Sequence, residues 1–65
     1  MTLEELAAQY QESARLLTQG LGELRGRLPH ARGDEALELR RRMQVMAEEL
    51  TDTARTARML YDYYR

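Results

Sequence analysis

The sequence predicts an all-α fold: an antiparallel two-helix hairpin of coiled-coil character that dimerises into a four-helix bundle. Two apolar seams and one interruption predict it. Ala36, Leu39, Met43, Met46, Leu50, Thr53, Ala57, Leu60 and Tyr64 recur at alternating steps of three and four, a heptad pattern sustained for about four repeats. Leu3, Ala7, Tyr10, Ala14, Leu17, Leu21, Leu24 and Leu28 step the same way through the first half. Between the seams lie Pro29, Gly33 and Asp34, residues that stop one helix and start another. These signals place helix 1 over about 2–28, a turn over about 29–33 and helix 2 over about 34–64 of a single domain.

Each end of helix 1 has a local cause. Thr2-Leu3-Glu4-Glu5 forms a capping box, in which the Thr2 hydroxyl accepts from the Glu5 amide and the Glu5 carboxylate reaches back to the Thr2 amide. Met1 and Leu6 occupy the positions of a hydrophobic staple, and two acids in the first turn suit the helix dipole. Gly20, Gly22 and Gly26 sit off the seam, each costing about 1 kcal/mol relative to alanine in a helix interior. They weaken continuity near residues 19–23 and expose backbone that another helix can approach. Gly20-Leu21-Gly22 is not a phosphate loop, because no strand precedes it. Pro29 ends the helix by disfavouring the α conformation at Leu28.

The connection His30-Ala31-Arg32-Gly33 has the length that joins antiparallel helices. Asp34 is the expected N-cap of helix 2, with Glu35 in its first turn. Turn and cap together account for Arg32-Gly33-Asp34, so its match to an adhesion tripeptide carries no weight. Folding at this turn opposes residues whose numbers sum to about 63 or 64: Leu24 with Leu39, Leu17 with Met46, Ala7 with Ala57. Every seam position up to Leu60 then meets a seam position, the agreement across levels expected of a real fold.

A hairpin alone leaves each seam half open. Ala47, Ala54 and Tyr61 widen the apolar arc of helix 2 on one side, and Val45 and Met59 lie round the other. An arc this wide calls for more than one neighbouring helix. A chain of 65 residues without cysteine has no disulfide staple, and one histidine, His30, is too little for an imidazole-based metal site. Self-association is the remaining remedy, so a homodimer is the expected partner.

Composition excludes several function classes. A net charge of −1 provides no whole-molecule attraction to nucleic acid or anionic membrane. No apolar run approaches the roughly 20 residues of a membrane span. No secretory leader is visible at the N-terminus, so the expectation is a cytoplasmic protein. Arginine supplies every basic residue except His30, and Lys, Asn, Ile and Phe are absent, a usage that points to a GC-rich bacterial coding sequence.

Two features are candidates for an interaction. Arg25, Arg27, Arg32, Arg40, Arg41 and Arg42 cluster about the turn against only Asp34, Glu35 and Glu38, so residues 25–42 carry +3 while residues 1–24 carry −3. Glu23 lies at helical spacing from Arg27, and Glu38 from Arg41 and Arg42, which leaves Arg25, Arg32 and Arg40 as a candidate basic tip. Such a tip suits phosphates, but no aromatic residue stands near it to stack on bases, so nucleic acid is a second-ranked partner. The other feature is Tyr61, Tyr63 and Tyr64, which with Ala47 and Ala54 form a candidate protein-interaction surface or close the open end of the bundle over Met1, Leu3 and Leu6. Glu48, Glu49, Asp52 and Arg55 lie off the seam and form no catalytic set. No cofactor, metal or small-molecule substrate is expected.

Arg40-Arg41-Arg42-Met43, the run Ala54-Arg55-Thr56-Ala57-Arg58-Met59-Leu60 and the Tyr63-Tyr64 end resemble small helical-hairpin proteins of bacterial phages and integrative elements. That resemblance implies an accessory protein of a mobile element and brings no functional residues with it. The expected function is a non-enzymatic structural or protein-interaction module that self-associates, with a nucleic-acid accessory factor as the alternative.

Overall fold

The computed structural model describes residues 1–63; Tyr64 and Arg65 lie outside it. Helix α1 spans Leu3–Arg27 and helix α2 spans Asp34–Tyr63, and the two pack against each other as an antiparallel hairpin. At 1.5 Å per residue, 30 residues of α2 account for about 45 Å. The long dimension of the molecule is 48 Å, against 16 and 14 Å across.

The seams are where the sequence puts them. Every seam position from Leu3 to Leu28, and from Ala36 to Leu60, is buried or half-buried. The buried set among the described residues is small, however: Ala7, Leu21, Leu24, Ala36, Leu39 and Ala57, three of them alanines. Leu17, Met43, Met46, Leu50 and Leu60 remain half-buried because each helix has a neighbour on one side only. Ala7 and Ala57, one on each helix, are both closed off from solvent.

Helix α1 is continuous through Gly20 and Gly22. Gly20 is half-buried, and a β-carbon built on it would fall 2.7 Å from the terminal methyl of Met46. Met46 therefore reaches across to the glycine backbone. Gly22 and Gly26 face open space, with nothing within 4 Å among the described residues.

The ends of the helices differ in detail from the expectation. Thr2 Oγ1 accepts from the Glu5 amide at 3.1 Å, which is half of the capping box; the reciprocal Glu5-to-Thr2 bond is not made among the described residues. Met1 is 80% exposed and makes no staple on Leu6. Proline does not drive Leu28 out of the helical region: Leu28 has φ −57° and ψ −42°, and its amide donates to the Leu24 carbonyl. The chain instead tightens into a 3₁₀ turn over Leu28–His30, closed by Ala31 N–H donating to Leu28 O at 3.1 Å. Pro29 fits that turn because its missing amide falls at the turn's start, where no donor is needed. Gly33, at φ +58°, reverses the chain, and its carbonyl accepts the first α2 bond from Leu37 N–H at 3.2 Å. Gly33 thus holds the cap position that the sequence suggested for Asp34, and Asp34 becomes a first-turn acid facing the helix dipole.

Candidate interaction surface

Ala47, Ala54 and Tyr61 follow one another at seven-residue spacing along one edge of the α2 seam, so they share a side of the hairpin. The matching edge of α1 carries Gln11, Thr18 and Arg25. Between these edges runs an open groove of about 600 Å³, lined by Gln11, Ala14 and Thr18 from α1 and by Leu50, Ala54, Ala57 and Tyr61 from α2. Arg15 and Arg58 stand on its two rims. Small residues make the groove: Ala14, Ala54 and Ala57 give little side chain to fill the space between the helices.

Several of its polar groups are already committed. The Tyr61 hydroxyl donates to Gln11 Oε1 at 3.3 Å, the one side-chain hydrogen bond linking the helices among the described residues. Thr18 Oγ1 donates to its own helix at Ala14 O, 2.8 Å away, and Thr51 does the same to Ala47 O at 3.0 Å. Both hydroxyls are thereby turned onto backbone, and Thr18 offers the groove mainly its methyl group. On the α1 rim, Arg15 is held by the Glu12 carboxylate through contacts of 2.6, 3.0 and 3.2 Å. The hydrogen bond from Arg15 is the main reason the Glu12 carboxyl is held below its ordinary range, and the same contact raises the Arg15 guanidinium. What is left facing out of the groove is largely apolar.

Four of the five residues that the sequence grouped are described by the structure. Ala54 and Tyr61 line the groove, and Ala47 continues the same edge, exposed, at mid-length of α2. Tyr63 is 78% exposed in the single hairpin. Tyr64 lies outside the described residues. Tyr61 leans along the hairpin toward Gln11 instead of over the end, the direction in which long side chains point on a helix. Gln11, Thr18 and the Glu12–Arg15 pair were not singled out from the sequence. Their signal was present: Gln11 and Thr18 each follow a seam alanine, Ala7 and Ala14, by four residues, and Glu12 and Arg15 stand at i,i+3.

At the turn end the arginines are freer than their spacing suggests. Arg41 lies 3.8 Å from Glu38, both well exposed, a contact of little energetic weight. Arg27 forms no ion pair with Glu23, which instead receives Gln19 Nε2 at 3.5 Å, and Arg42 forms none with Glu38. Arg25, Arg32 and Arg40 are exposed and likewise without ion pairs among the described residues.

Glu48, Glu49, Asp52 and Arg55 are all exposed, and His30 sits apart from them in the turn. Among the described residues, no three His, Cys, Asp or Glu side chains gather closely enough to hold a metal ion, and no helix is long and apolar enough to cross a membrane. No protein-family model, curated protein or solved structure matches the chain.

Proposed function

We propose that the protein is a non-enzymatic structural and protein-interaction module, a helical hairpin that self-associates through the edge carrying Ala47, Ala54 and Tyr61 to complete a four-helix bundle. The observation that carries this reading is its surface. A compact monomer of 7.6 kDa exposes about 4,300 Å² by the usual mass scaling, whereas this chain exposes 5224 Å². The excess of roughly 900 Å² is close to the ~800 Å² that each partner contributes to a standard interface. The radius of gyration agrees: 14.9 Å, against about 11 Å for a compact chain of this length. A second hairpin laid on the groove side would cover the half-open seam residues and halve the exposure of the small-residue edge.

Sedimentation equilibrium at micromolar concentration tests the reading. The expected mass is twice 7.6 kDa, and Ala54→Glu should return the single-chain mass while helical circular dichroism persists. A single-chain mass for the unaltered protein would refute it.

The exposed turn-end residues Arg25, Arg32 and Arg40 support a second reading, a nucleic-acid accessory factor. Binding through several phosphates would weaken steeply with salt and disappear in an Arg32→Glu, Arg40→Glu variant. Absence of binding to single- or double-stranded nucleic acid at low salt removes this alternative.

A further inference from the structure

We infer that two copies pack antiparallel, the turn end of each against the open end of the other, with the two-fold axis crossing α2 between Ala47 and Glu48. This rests on the self-association proposed above and adds its orientation, for which charge and shape give independent reasons.

The hairpin is electrically lopsided along its 48 Å axis. Its turn half, residues 16–47, holds six arginines against Glu23, Asp34, Glu35 and Glu38, a net +2. Its open half, residues 1–15 and 48–63, holds three arginines against Glu4, Glu5, Glu12, Glu48, Glu49, Asp52 and Asp62, a net −4. Parallel association would stack like on like at both ends. Antiparallel association places each basic half beside an acidic one. Packed helices lie about 8–10 Å apart, near the screening length of about 8 Å at physiological salt, so the sign of the neighbour still matters.

Shape points the same way. The groove lies in the open half, between the levels of Leu50 and Tyr61. On that side the turn half carries Leu37, 57% exposed. Leu37 stands three heptads before the rim residue Arg58 and so shares its side of α2. With the axis between Ala47 and Glu48, Leu37 comes level with Arg58 of the second copy, at the groove. The exposed leucine of each copy then meets the small-residue hollow of the other, and Ala47 lies against its own counterpart at the axis. A parallel pair would set Leu37 against Leu37 and groove against groove, leaving both hollows unfilled.

Pulsed dipolar spectroscopy on a nitroxide attached at His30→Cys measures the arrangement directly, because the chain has no other cysteine. Antiparallel copies separate the two labelled turns by close to the 48 Å length of the hairpin. Parallel copies bring them within roughly 20 Å, given interhelical spacings of about 8–10 Å. A second label at Glu48→Cys, exposed and at mid-length, gives a short distance in either arrangement and so reports association by itself. A long His30 distance with a short Glu48 distance supports the inference. Short distances at both sites overturn the orientation while leaving self-association standing; no dipolar coupling at either site overturns both.

Discussion

Replacing Gly22 by alanine is expected to stabilise the hairpin by about 0.8–1 kcal/mol, the difference in helix propensity between the two residues. The structure is what makes the full gain available. Gly22 lies inside α1 with ordinary helical backbone, and a β-carbon there meets nothing within 4 Å among the described residues. For a domain of this size, 1 kcal/mol moves the melting temperature by about 4–8 °C. Gly20 is the internal control. It has the same propensity to gain, but its β-carbon would fall 2.7 Å from the Met46 methyl. That methyl is the flexible end of a side chain, so it swings aside and gives up its seat, and the rise for Gly20→Ala should be visibly smaller. In a Met46→Ala background the obstruction is gone, and Gly20→Ala should recover the full increment, a coupling that a double-mutant cycle isolates. The assay is thermal unfolding by far-ultraviolet circular dichroism at one fixed chain concentration, since self-association makes melting concentration-dependent. A Gly22→Ala variant that melts lower would mean α1 is not continuous there; equal gains at Gly20 and Gly22 would mean Met46 does not rest on the glycine.

Leu39, only 3% exposed, is the most buried large side chain, and Leu39→Ala should cost about 2–5 kcal/mol, read as a fall in the urea midpoint or as outright loss of the folded state. Gly33→Ala forces a side chain onto a backbone at φ +58° and should cost about 1–2 kcal/mol in the same assay. If it is neutral, the reversal is not made at Gly33. The Glu12–Arg15 pair sets a pH dependence. Because the folded state holds Glu12 below its ordinary carboxyl range, the unfolded chain takes up that proton first, and stability rises with pH across the window. The stability difference between the unaltered protein and Glu12→Gln should therefore be present near neutrality and vanish as pH falls through the lowered Glu12 value. The pair is exposed, so the effect is small; a difference that grows on acidification would contradict it.

Helix type, helix number and the inward-facing positions were determined by the sequence itself. A period of three and four places Leu21, Leu24 and Leu39 on inward faces whatever the partner, because helical geometry converts spacing into direction without reference to the rest of the molecule. Local propensity was less decisive at the turn: Leu28 stays helical before Pro29, held by its bond to Leu24, and Gly33 takes the cap position from Asp34. There a weak local preference yielded to the bonds and packing around it.

What only the tertiary structure decided is what lies between the helices and along their outer edges. The sequence marked Ala47, Ala54 and Tyr61 as surplus apolar positions. The hollow beneath Tyr61 exists because Ala14 on one helix and Ala54 and Ala57 on the other, all small, line the same stretch between the helices, a coincidence of two distant segments. The Tyr61–Gln11 bond joins residues fifty positions apart, and Met46 over Gly20 joins two segments that share no local pattern. Spacing says which way a side chain points; how far it reaches, and what it finds there, depends on the other helix.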